Sequence, residues 1–178
     1  MKIVLIGYRG TGKSTVAPQL ASRLGWDWVD ADVELERRAQ KSIAAIFADG
    51  GAEAFRDRET AVLADLARRE RIVVAAGGGA VLRAENRASL ACDARLVWLR
   101  AEPATIVRRV AADGSTAARR PNLTSSGGIA EIETVLAERT PIYESCADLT
   151  VDTDDKTPGE VVGEIMARLD LPSHVELA

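Results

Sequence analysis

The residues Lys2-Ile3-Val4-Leu5-Ile6, followed by Gly7-Tyr8-Arg9-Gly10-Thr11-Gly12-Lys13-Ser14-Thr15, decide the reading of the whole chain. The first five are almost entirely apolar, as a central strand covered on both faces must be. The next eight fit GxxxxGK[ST] without a mismatch, and residues 13–24 carry Val16, Leu20 and Leu24 at helical spacing before Gly25 ends the pattern. Strand, glycine loop and helix in that order are the context a phosphate cradle requires. Glycines let backbone N–H groups of Gly10, Thr11 and Gly12 curl around phosphate oxygens, and the helix start at Lys13, Ser14 and Thr15 adds positive potential. Lys13 then reaches the outer phosphates, and the Ser14 hydroxyl is a ligand for Mg2+ beside ATP. A glycine turn that merely capped a helix would have no use for the Lys-Ser pair.

Further strands are predicted at 28–30, 71–75, 95–99 and 149–152, separated by helical patterns at 32–40, 43–48, 53–69, 85–91, 103–112, 129–146 and 157–169. This alternation predicts an α/β fold with a parallel sheet wrapped by helices. Between 113 and 128 the pattern lapses into small and polar residues with Gly114, Pro121, Gly127 and Gly128, a loop length that suits a mobile lid. The expected organisation is a single domain over 1–171 and a tail over 172–178, where the sole histidine, His174, falls.

Composition narrows the function. The chain has 178 residues, 47% of them hydrophobic, 4% aromatic, with a net charge of −4. That suffices for one buried core and argues against nucleic-acid backbones or base-stacking surfaces as partners. The apolar start is too short for a membrane span or a signal segment. Cys92 and Cys146 form no CxxC pair and read as buried thiols in a reducing cytoplasm, where the sequon Asn122-Leu123-Thr124 stays silent. Without a coiled-coil stripe, a monomer is the default expectation.

Other groups point to an acceptor beside the nucleotide. Asp30-Ala31-Asp32 sits at the end of the second strand, and alternation there would turn both carboxylates the same way. One would hold a Mg-bound water, and the other would orient an attacking hydroxyl; a helix cap at Asp32 is the plain alternative. Arg56, with Glu59 one helical turn on, would grip a carboxylate bidentately, although a surface salt bridge has the same spacing. Gly77-Gly78-Gly79 ends a buried strand where backbone can approach a ligand, or simply turn. Arg119-Arg120-Pro121 lies in the long loop, where an arginine would cover the transferring phosphoryl group. Arg139 is a second candidate clamp, a solvated helix arginine being the alternative.

Together the motifs resemble the shikimate kinase family over residues 3–158: GxxGxGKS, a DxD after the second strand, FRxxE, GGG, an RP lid and an RxxxY helix. The resemblance implies a nucleoside-monophosphate-kinase-like P-loop NTPase fold, with a five-stranded parallel sheet, a substrate-binding helical region at 32–70 and a lid at 113–128. It implies Asp32 as the base that holds shikimate hydroxyls and Asp30 as the Mg-linked carboxylate. Arg56 and Arg139 would bind the shikimate carboxylate, with backbone contacts from Gly78 and Gly79, and Arg120 would be the lid arginine. Adenine would rest between Arg109 and the turn at Lys156-Thr157-Pro158. The implied reaction phosphorylates shikimate at its 3-hydroxyl with ATP, an early step of chorismate and aromatic amino-acid synthesis.

Two positions depart from the family pattern: Ala52 stands where glutamate is common, and Arg120-Pro121-Asn122-Leu123 replaces Arg-Pro-Leu-Leu. Two other readings compete. A gluconate-kinase-like enzyme would share the phosphate loop but not the Arg56, triple-glycine and Arg139 set. A non-catalytic nucleotide-binding regulator would be expected to lack Asp32, Arg56 or the lid arginine, and all three are present.

Overall fold

The computed structural model describes residues 1–112 and 128–172. Its elements are β1 (Lys2–Ile6), α1 (Lys13–Leu24), β2 (Asp27–Asp30), α2 (Ala31–Ala39), α3 (Ile43–Leu66), β3 (Ile72–Ala75), α4 (Ala84–Ala91), β4 (Ala94–Arg100), α5 (Pro103–Ala112), α6 (Gly128–Cys146), β5 (Leu149–Asp152) and α7 (Pro158–Arg168). The lid residues Arg119, Arg120 and Pro121 and the tail histidine His174 lie outside the described residues.

Five parallel strands form one sheet in the order β2-β3-β1-β4-β5. The β1 run places β1 at the centre, and its alternation feeds two cores. Ile3 and Leu5 pack on one face with Val16, Leu20, Val161 and Ile165 of α1 and α7, and Val4 and Ile6 pack on the other with Leu35, Leu63, Leu66 and Tyr143. Burying both faces is what keeps residues 3–6 apolar, and the one polar residue of β1, the buried Lys2 at its start, donates from Nζ to the Cys92 carbonyl at 2.6 Å. The order reverses direction at β1, so the carboxyl ends of β1 and β3 open a crevice there, and the loop after β1 lies in it.

Residues 43–66 are two helical stretches on either side of Gly51, whose φ of 70° and ψ of −166° leave the helical region, in keeping with the two patterns expected at 43–48 and 53–69. The fold differs from the expectation in two places. Cys92 is exposed and Cys146 half-buried, both free, because Cys92 follows the end of α4 at the surface instead of entering the core. The second strand ends at Asp30, and Asp32 belongs to the first turn of α2, so the two carboxylates are not related by strand alternation. Asp30 itself caps α2, its Oδ1 accepting from the N–H groups of Asp32 (3.0 Å) and Val33 (3.3 Å). The helix cap that is the alternative reading of Asp32 is thus made by Asp30.

Candidate active site

The phosphate loop is held open by its own backbone. Gly7 has a φ of 132°, and a Cβ there would stand 2.4 Å from the Leu99 carbonyl oxygen, so no other residue fits. The Tyr8 carbonyl accepts from Thr11 Oγ1 (2.8 Å) and from Lys13 Nζ (2.7 Å), and Lys13 Nζ also donates to the Gly7 carbonyl (2.8 Å). The lysine is thereby buried and pinned over the loop, at the start of α1, where Gly12 in the left-handed region is the cap residue. Ser14 and Thr15 follow in the exposed first turn.

A cleft of about 550 Å³ opens over this loop, lined by Arg9, Gly10, Thr11, Gly12, Lys13, Ser14, Thr15, Trp28, Asp30, Asp32, Gly78, Arg109 and Lys156 among others. Ser14 Oγ donates to Asp30 Oδ2 at 2.5 Å, which puts a hydroxyl and a carboxylate oxygen together at the mouth of the loop. Two adjacent hard oxygens, next to the place where phosphates would supply the rest, suit Mg2+, which keeps most of its shell from phosphate and water. Among the described residues there is no cluster of three or more Asp, Glu, His or Cys side chains able to hold a metal by itself.

At the far end of the cleft, Arg109 joins the phosphate loop to the end of β5. Its guanidinium donates to Thr153 Oγ1 (2.9 Å), to the Thr153 carbonyl (2.6 Å) and, longer, to the Gly10 carbonyl (3.4 Å). Lys156 pairs with Glu164 at 2.7 Å, and Thr157 caps α7 through a reciprocal box with Glu160.

The acceptor end is organised around the triple glycine. Arg56 of α3 is ion-paired with the buried Glu59 and stands over the Phe55 ring at 5.1 Å. Burial pushes the Glu59 carboxyl up, opposed chiefly by the Arg56 charge and its hydrogen bond, then by Arg139 and Arg83. The guanidinium packs so closely on Gly79 that a Cβ there would lie 2.3 Å from a terminal nitrogen. The Gly78 carbonyl accepts from Arg139 Nη1 (3.0 Å) and from Tyr143 Oη (2.5 Å). Gly78 also lies against the phosphate loop, its notional Cβ 3.4 Å from the Arg9 nitrogen. The glycines thus carry Arg56 and Arg139 on one side and touch the phosphate loop on the other.

Sequence reasoning missed several neighbours. Thr153, buried behind Arg109, carries no motif, and Trp28 enters the cleft wall only because it precedes Asp30 on β2. Arg9 was read only as a variable position of the loop, yet it pairs with the buried Glu131 of α6 at 3.2 Å across 122 residues of chain. Nothing local in either segment signals that contact.

Comparison with known proteins agrees with this geometry. A family model described as shikimate kinase matches residues 9–170. The shikimate kinase of Rhodopirellula baltica is 44% identical over 164 residues, covering 92% of this chain and 88% of that protein. That of Thermobifida fusca is 45% identical over 170 residues, covering 96% and 94%. Among solved structures, the Acinetobacter baumannii shikimate kinase in complex with shikimate superposes with a TM-score of 0.88 at 32% identity, covering 95% of this chain and 93% of that one. With its five-stranded parallel sheet, its Lys-Ser phosphate loop and its arginine-flanked glycine turn, this chain belongs to the shikimate kinase family.

Proposed function

We propose that this protein transfers the γ-phosphoryl group of ATP to the 3-hydroxyl of shikimate, giving shikimate 3-phosphate and ADP. The observation that carries the reading is Gly78: its carbonyl holds Arg139 and Tyr143 while a Cβ placed on it would meet the phosphate loop, so a carboxylate-binding cluster and a phosphate cradle share one residue. A substrate gripped by its carboxylate at Arg56 and Arg139 would extend its ring toward Asp32 and the loop.

The residues divide the work. Lys13 and the N–H groups of Gly10, Gly12, Ser14 and Thr15 bind the β and γ phosphates. Ser14 and Asp30 would hold Mg2+, which would supply charge neutralisation to the phosphates. Asp32 accepts the proton of the attacking hydroxyl, whose oxygen forms the new P–O bond as the bond from the γ-phosphorus to the bridging oxygen of ADP breaks. Arg109 and Lys156 border the adenine, and Arg120 is assigned to cover the transferring group from the lid. Gly79 owes its place to the closeness of Arg56, and a backbone contact to shikimate there is compatible with that.

The acidic net charge of −4 disfavours nucleic acid as a partner. Among the described residues no helix is long and apolar enough to cross a membrane. A monomeric, cytoplasmic enzyme accords with two free thiols and with a small soluble substrate. The test is ADP release with Mg-ATP in the presence of shikimate, gluconate, a nucleoside monophosphate or no acceptor. Turnover with shikimate alone is expected; a rate no higher than the acceptor-free background would overturn the assignment of Asp32, Arg56 and Arg139.

A further inference from the structure

Helix α6 reaches the active site twice. Near its start Glu131, 2% exposed, pairs with Arg9 of the phosphate loop at 3.2 Å; near its end Arg139 donates to the Gly78 carbonyl at 3.0 Å. Between these contacts lies Tyr8, buried among Ile106, Ile132 and Val135, with the Arg9 guanidinium 5.7 Å and the Arg139 guanidinium 5.9 Å from its ring centre. The peptide that joins Tyr8 to Arg9 is also the one whose carbonyl accepts from Lys13 Nζ and Thr11 Oγ1. A buried carboxylate is expensive unless it is paired, so Glu131 is held to Arg9 more firmly than a surface pair would be.

We propose that Glu131 is a positioning residue for phosphoryl transfer: through Arg9 it fixes the distance between the phosphate loop, which places the γ-phosphoryl group, and helix α6, which carries the acceptor clamp Arg139. The inference rests on the reading of the site as a shikimate kinase. Donor and acceptor are bound by different elements, the loop after β1 and the helix α6, and Arg9–Glu131 joins those elements by a direct ion pair. Misalignment of reacting groups acts on the rate of transfer more than on the binding of either substrate, because each substrate keeps its own contacts.

The experiment compares wild type, Glu131→Gln and the double variant Arg9→Met/Glu131→Gln, measuring kcat, the KM for ATP, the KM for shikimate, and Tm. Glu131→Gln is expected to lower kcat by about tenfold or more while each KM moves by less than about threefold. Its Tm falls, because the part-buried Arg9 guanidinium has lost its carboxylate; in the double variant Tm recovers but kcat stays low, since the link is still missing. Where the single variant does not fold, the double variant carries the same comparison. A kcat within twofold of wild type in either variant, or a kcat that recovers together with Tm, would overturn the proposal and leave the pair a purely structural one. Wild type measured alongside separates the two readings: a wild type inert with shikimate defeats the kinase assignment and the inference with it, whereas an active wild type matched by its variants defeats the inference alone.

Discussion

Replacing Gly79 by alanine tests how the acceptor site is built. The added Cβ would stand 2.3 Å and 2.5 Å from the two terminal nitrogens of Arg56 and 2.6 Å from its Cζ. Ordinary contact needs about 3.5 Å, so the guanidinium must retreat by roughly 1 Å. It is tied to Glu59 and rests on Phe55, so it moves as a unit and leaves the position from which it would grip a carboxylate. A charge-assisted hydrogen bond is worth about 1.5–3 kcal/mol, which converts to a loss of roughly tenfold to a hundredfold in kcat/KM for shikimate. The loss should appear mainly in the KM for shikimate, with the KM for ATP unchanged. Folding should be nearly unaffected, because φ at Gly79 is outside the left-handed region and the obstructing atoms end a flexible side chain. Gly78→Ala is the internal control: its Cβ meets the phosphate loop only at 3.4 Å and beyond, ordinary contact, and its kinetic effect should be much the smaller. ADP release with varied shikimate, beside a thermal melt, reads all of this. A Gly79→Ala enzyme with wild-type KM for shikimate would refute the placement of Arg56 as a carboxylate clamp.

Four further outcomes are expected. Asp32→Ala should leave ATP binding by calorimetry nearly intact while kcat falls by about 10²–10⁴-fold, the usual worth of a positioned base; strongly weakened ATP binding would reverse the role. Arg139→Ala should raise the KM for shikimate by roughly tenfold or more, and an unchanged KM would count against the clamp. Asp30→Ala removes the cap of α2 and the partner of Ser14, so Tm should fall by an amount corresponding to about 1 kcal/mol, and the Mg2+ concentration needed for half-maximal activity should rise. Hydrogen bonds from Arg37 and then Arg38 hold the Glu34 carboxyl well down, from 4.5 to about 2. Because the folded value is depressed, this contribution to stability is present above pH 4.5 and is lost as pH falls through about 2. The Tm gap between wild type and Glu34→Gln should therefore be constant from pH 7 to near 4.5 and close below it; a gap independent of pH down to 2 would contradict this.

Much of the fold was legible because it rests on local rules. The β1 run, the glycine loop and the spacing of Val16, Leu20 and Leu24 each report short-range constraints: burial on both faces, backbone access to phosphate, and helical periodicity. The same holds for all five strands, whose expected and observed bounds differ by at most one residue at either end. Boundaries that depend on packing were less legible. The exact place of the break within 43–66 is Gly51, after which the second helical stretch packs on the core through Phe55, Val62 and Leu63. Asp30 rather than Asp32 became the cap, because α2 begins at Ala31 and takes Asp32 out of the extended alternation.

By itself the sequence determined the chemistry on offer: a phosphate cradle, a pair of carboxylates and guanidiniums suited to an anionic acceptor, since each follows from residue type and short spacing. Only the tertiary structure decided which of these meet. Gly79 yields space to Arg56, the Gly78 carbonyl gathers Arg139 and Tyr143, and Arg9 finds Glu131 across 122 residues of chain. Such contacts are set by how helices α3 and α6 settle on the carboxyl ends of a twisted parallel sheet, and nothing in the segments that make them encodes the partner.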